Sequence, residues 1–167
     1  MDFEIIKPAD IEKRSFAIIT EELGDRVFPE EIGLVVKRVI HTSADFDYAD
    51  NLVFSEGAVP RALEAIRNGA HIVTDTNMVK AGINKKTLAK FGGEVHCFVA
   101  DADVAEEAKQ RGVTRSTVSM ERAAKLDVPV IFAIGNAPTA LIELDRLMRE
   151  QDLKPELIIG VPVGFVN

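Results

Sequence analysis

The chain has a single cysteine, Cys97, which excludes an internal disulfide and any cysteine-rich metal knuckle. No run of about 18 apolar residues occurs, so no membrane-spanning helix is expected. Basic residues never cluster beyond a dipeptide, and 20 Lys and Arg against 27 Asp and Glu leave a net charge of −7. Such a surface is a poor partner for nucleic acid or an anionic membrane. Acidic Asp2 and Glu4, with no apolar run behind them, are unlike a secretory leader. Also missing are Gly-x-Gly-x-x-Gly, Gly-x-x-x-x-Gly-Lys-Ser/Thr and Gly-x-Ser-x-Gly, the motifs of dinucleotide, P-loop and hydrolase-elbow chemistry. There is no His-x-x-x-His and no Cys/His cluster, so no metal role is expected. What is present is 167 residues, 47% hydrophobic and 28% charged, enough for one cytoplasmic domain with a sizeable core.

The apolar runs are regularly spaced. Pro8-Ala9-Asp10 opens a helix whose inner face can be Ile11, Ile18, Ile19 and Leu23, with Gly24 as its stop. Pro29 opens a second, in which Ile32, Val35, Val36, Val39 and Ile40 form one stripe and deliver His41-Thr42 at the end. Beyond residue 50, short runs predict strands at Leu52–Ser55, His71–Thr74, Val95–Ala100, Val130–Ile134 and Leu157–Val161. Helical patterns lie between them near 58–68, 76–91, 103–125 and 137–151. The alternation implies right-handed crossovers and a three-layer αβα domain. Its mainly parallel sheet would have about five strands, with two extra N-terminal helices.

Ligands of such sheets bind beyond the carboxyl ends of the strands. Here those ends read Ser55-Glu56-Gly57, Thr74-Asp75-Thr76-Asn77, Asp101-Ala102-Asp103, Gly135-Asn136-Ala137-Pro138 and Gly160-Val161-Pro162. These groups can line a hydrogen-bonding pocket or serve as helix caps and turns. Arg14-Ser15 and Arg115-Ser116 each pair a forked cation with a hydroxyl, suited to a carboxylate or phosphate, or else an exposed charge beside a helix start. His71 and His96 lie on strands and read as structural, and Cys97 alternates to the other face as core. His41 precedes the acid- and hydroxyl-rich stretch Thr42–Tyr48. It is either an acid–base group, with Asp45 or Asp47 orienting its ring, or a histidine stabilising a helix C-terminus.

Taken together, six segments resemble the precorrin-8X (cobalt-precorrin-8) methylmutases of corrin-ring biosynthesis. They are Arg14-Ser15-Phe16, Arg38–Ala49, Ile72–Val79, Thr114-Arg115-Ser116, Gly135–Leu141 and Gly160–Val166, in this order along the chain. Family members continue beyond the last of these segments, so a C-terminal segment typical of the family is expected to be absent here. The resemblance implies an isomerase that moves a methyl group from C-11 to C-12 of a corrin precursor without a cofactor. It implies a tetrapyrrole as substrate and product (a precorrin, with hydrogenobyrinate or cobyrinate), and a homodimer. In the family the histidine of the His-Thr motif is the proposed acid, which here is His41. The substrate-binding set expected is Arg14, Ser15, Thr42, Thr74, Asp75, Thr76, Arg115, Ser116 and Asn136. A methyl shift around a conjugated ring asks for a fixed orientation and a proton donor, not a nucleophile. The other readings are a non-catalytic tetrapyrrole carrier of the same fold and, more weakly, a sugar- or nucleotide-phosphate enzyme.

Overall fold

The computed structural model describes residues 7–164, so Asp2, Glu4, Phe165 and Val166 lie outside the described residues. The chain divides at Pro60–Arg61 into two compact units. In the first, a 3-10 turn at Pro8–Asp10 leads into α1 (Ile11–Leu23), followed by α2 (Glu30–Ser43) and the short α3 (Tyr48–Asn51). Gly24, at φ +59°, ends α1 in a conformation that a Cβ would disfavour. Ile19 and Leu23 of α1 bury against Val36 and Ile40 of α2, with Phe28, Ile32, Leu52 and Phe54 closing the cluster. Ile11 and Ile18, expected on the inner face of α1, are instead exposed.

Leu52–Ser55 is not a strand. The segment is extended at Leu52 but joins no sheet; Leu52 and Phe54 turn onto the α1–α2 core while Val53 is 93% exposed. Its alternation is that of a strand, but the inward side chains are satisfied by helices and no neighbouring strand offers hydrogen bonds.

Helix α4 (Ala58–Arg67) leads into the second unit, where β1 (His71–Thr74), α5 (Asn77–Gly82), α6 (Lys85–Leu88) and β2 (Val95–His96) follow. Then come α7 (Ala102–Arg111), α8 (Arg115–Ala123), β3 (Val130–Ile134), α9 (Pro138–Gln151) and β4 (Leu157–Gly160). The sheet has four strands, not about five, all parallel, in the order β2-β1-β3-β4. Val73, Val130, Phe132 and Ile134 pack against α8 and α9, while Ile72 and Ile131 pack against Ala65 and Ile66 of α4. Both faces are therefore covered by helices, which is why these strands read as continuous apolar runs.

Three boundaries differ from the sequence pattern for local reasons. The strand expected over Val95–Ala100 pairs only at Val95 and His96, because β1 ends at Thr74, whose hydroxyl donates to the His96 carbonyl (3.3 Å). The single helix expected at 76–91 breaks where Asn84 takes a non-helical conformation and caps α6 through the Thr87 N–H (3.0 Å). That expected at 103–125 breaks at Gly112, φ +65°, and restarts at Thr114, whose hydroxyl accepts the Thr117 N–H (3.1 Å).

Gly93 sets the β1–β2 edge. A Cβ there would run into the Ala70 backbone carbonyl and the Leu88 side chain. Backbone atoms cannot rotate away, so Gly93→Ala is expected to cost about 2–3 kcal/mol, read as a lower denaturant midpoint with unchanged m-value.

Helices α7, α8 and α9 are laced by ion pairs: Arg111 joins Glu107 to Glu121, and Arg146 joins Glu121, Glu143 and Glu150. Hydrogen bonds from Arg111 hold the Glu121 carboxyl below its ordinary value of 4.5, outweighing the burial that would raise it. An acid whose folded pKa is depressed stabilises the fold above its unfolded pKa and loses that contribution as pH falls through the folded one. Stability is therefore expected to hold from pH 7 to about 5 and to fall at lower pH, and Glu121→Gln should flatten part of that fall.

Candidate functional site

After β1 the chain lays β2 on one side and, later, β3 on the other, so the switch point of the sheet lies between β1 and β3. At their carboxyl ends sits Asp75, 1% exposed. Its carboxylate accepts three backbone N–H groups, from Gly135 (3.1 Å), Asn136 (2.8 Å) and Ala137 (2.7 Å). Gly135 is needed for the same approach, since a Cβ would lie 2.9 Å from Val79 Cγ2 on α5. The acid thus fixes the loop between β3 and α9 and leaves the Asn136 side chain exposed.

Of the expected binding residues of this unit, three are enclosed. Thr74 is fully buried, its hydroxyl donating to the Thr76 and His96 carbonyls; Asp75 is committed to the loop; Ser116 is 9% exposed inside the first turn of α8. Thr76 caps α5 through the Val79 N–H (3.3 Å), and exposed Arg115 heads α8 with Nη1 3.5 Å from the Val99 carbonyl. A concavity of this unit, lined by Arg61, Glu64, Asn68, Pro129 and Glu156, opens beside the residues that precede β3 and β4, at the opposite end of those strands.

In the first unit His41 occupies the last turn of α2, half-buried, its ring centroid 5.6 Å from that of Phe16 on α1. The Arg38 guanidinium lies over the same Phe16 ring, 4.8 Å from its centroid, and pairs in a fork with the Glu12 carboxylate at 3.0 and 3.1 Å. Arg38, and to a lesser degree His41, hold the Glu12 carboxyl below its ordinary value. Asp45 and Asp47 do not take the orienting role expected of them. Asp45 Oδ1 accepts the Asp47 N–H (2.9 Å), and among the described residues neither carboxylate hydrogen-bonds His41. Glu12 is the acid that interacts with it, a role no local spacing announces because the partner lies on another helix. Arg38 was legible as a neighbour, being three residues before His41 and so on the same helix face. Arg14 and Ser15 lie in α1, the first exposed and the second half-buried. The exposed Thr42 hydroxyl donates back to the Arg38 carbonyl (2.9 Å), and its lone pairs remain to accept.

A second histidine arrangement joins β1 and β2. His71 Nδ1 and His96 Nε2 lie 2.8 Å apart on neighbouring strands, with Glu94 beside them. Burial, and then the charge of His71, pull the His96 pKa below its ordinary value. In the sequence both rings read as structural; 25 residues separate them, so no ligand spacing is visible along the chain.

The precorrin-8X methylmutase family model matches residues 10–167. The chain belongs to the precorrin-8X methylmutase family. It is accordingly a methyl-shifting isomerase of cobalamin biosynthesis. A cobalt-precorrin-8 methylmutase of Priestia megaterium is 48% identical over 162 residues, which are 97% of this chain and 72% of that protein. A cobalt-precorrin-8 methylmutase of Salmonella typhimurium is 42% identical, over 98% of this chain and 79% of its own. A solved precorrin-8X methylmutase from Thermus thermophilus superposes with a TM-score of 0.85 at 38% identity, covering 95% of this chain and 77% of that one. All six motif segments fall within the family match. No helix among the described residues is long and apolar enough to cross a membrane.

Proposed function

We propose that the methyl group moves from C-11 to C-12 of a precorrin-8X-type tetrapyrrole and that His41 is the general acid. The observation that carries this reading is the setting of His41: half-buried in the last turn of α2, against the Phe16 ring that also carries the Arg38–Glu12 fork. A proton given to a ring nitrogen draws electron density toward that ring and lowers the barrier to the shift. An isomerisation neither gains nor loses atoms, so the acid recovers its proton within the cycle. The chemistry asks for no cofactor.

The substrate bears many carboxylates. Arg14, Ser15 and Thr42 in the first unit, and Thr76, Arg115 and Asn136 in the second, supply cations and hydrogen-bonding groups to hold them. Thr74, Asp75 and Ser116, enclosed in the second unit, act there as positioning residues. The family match runs continuously through Pro60–Arg61, which supports one methylmutase domain built from both units. A cytoplasmic homodimer completes the proposal, with a particle of two chains expected by light scattering.

The anchoring role is tested by Arg14→Ala and Arg115→Ala. Each is expected to weaken tetrapyrrole binding by about 1.5–3 kcal/mol, as for a lost charge-assisted contact, and added salt should weaken wild-type binding in the same direction. Affinity unchanged in both variants removes the two arginines from the site.

A further inference from the structure

We propose that His71, Glu94 and His96 form a binding site for a divalent transition cation of the zinc type. The three ligand atoms lie within 4.8 Å of one another. His71 Nδ1 and His96 Nε2 are 2.8 Å apart, with ring centroids 5.1 Å apart and planes inclined by 14°. Two imidazoles in that relation meet edge to edge and share one N–H···N hydrogen bond; a cation would take the place of that proton, with one lone pair from each ring turned onto it.

The frame behind the ligands is rigid. His71 begins β1 and His96 ends β2, and the register pairs Val73 with His96. The Ile72 N–H donates to the Glu94 carbonyl (2.8 Å), and Gly93 sits against the Ala70 carbonyl, so the backbone that carries Glu94 is tied to β1. On its far side the His96 ring stacks on Phe98, 6.0 Å away and inclined by 12°. Cys97 follows the end of β2 and is not part of the set.

The donors suit zinc: two imidazoles and a carboxylate leave the fourth tetrahedral position to water. Bonds of about 2.0–2.2 Å place tetrahedral ligand atoms about 3.3 Å apart, so the imidazole pair opens by roughly half an ångström. The carboxylate closes the remaining gap, since Glu94 is exposed and its side chain can turn inward. One charge opposes the cation: Lys80 is near enough to act on His96, as Glu94 is with the opposite sign. The bound ion would clip the two-residue edge strand β2 onto β1, a place where the backbone ladder alone is short.

The test uses the full chain, stripped of metal, titrated with zinc chloride against a chromophoric chelator in a non-coordinating buffer. One equivalent is expected to bind at micromolar protein and to raise the melting temperature. Glu94→Gln, at an exposed position, and His96→Ala, checked for folding by circular dichroism, should each weaken zinc at least about tenfold. His41→Asn should retain the equivalent, which separates this site from the histidine of the first unit. No uptake of zinc by the wild type, or uptake that neither Glu94→Gln nor His96→Ala changes, overturns the assignment.

Discussion

His41→Asn is expected to lower turnover by two orders of magnitude or more while leaving tetrapyrrole affinity close to wild type. A positioned general acid contributes about 10²–10⁴-fold in rate, or roughly 3–5 kcal/mol of barrier. Asparagine keeps a polar side chain of similar reach at the end of α2 but has no proton to give near neutral pH. A residue that merely touched the ring would stabilise ground and transition states alike, so its loss would appear in affinity and not in kcat. A histidine serving only the helix C-terminus predicts a third pattern, in which the melting temperature falls and activity per folded molecule is kept. Steady-state kinetics beside a melting curve distinguish all three. Glu12→Gln provides the complementary variant: it removes the carboxylate that interacts with His41 and also breaks the fork to Arg38. Its effect should be smaller than that of His41→Asn, since the proton donor remains.

Asp75→Ala is expected to cost about 3–5 kcal/mol of stability and most of the activity of the molecules that remain folded. Three backbone N–H groups converge on this carboxylate, and each hydrogen bond to a charged acceptor is worth about 1.5–3 kcal/mol where partners are buried. The sum is not additive, because the loop from Gly135 to Ala137 can relax and recover some bonds from water. Asp75→Asn is the informative partner. It has nearly the same shape, but its amide nitrogen must face a backbone donor where an oxygen accepted before. A loss of more than about 1.5 kcal/mol in the asparagine variant assigns the effect to hydrogen bonding rather than to volume. Denaturant midpoints for both variants give that comparison.

Much of the fold was legible because its elements are periodic and its stops are chemically explicit. Strands β1 and β3 fall where continuous apolar runs place them, and β4 ends one residue early. Gly24 ends α1 as expected. Leu52–Phe54 misled for a physical reason: alternation reports which side chains are inward, not what covers them. The breaks at Asn84 and Gly112 were present as residues but were outweighed by helical periodicity on either side. For the site, residue types were readable and their accessibility was not. Thr74, Asp75 and Ser116 carry the right chemistry for binding, and all three are buried. The pairing of Glu12 with Arg38 and of His71 with His96 joins distant positions, which no local pattern encodes.

The most direct test of His41 as proton donor is the rate of wild-type methyl transfer against pH, measured with tetrapyrrole in large excess over protein. Many equivalents of the spectrally shifted product should form per chain, with the rate falling as pH rises through the range in which an imidazolium gives up its proton. That alkaline fall should be missing from the residual rate of His41→Asn. Conversion that stops at one equivalent per chain would contradict turnover altogether, and a wild-type rate that stays level or climbs with rising pH would contradict His41 as the acid.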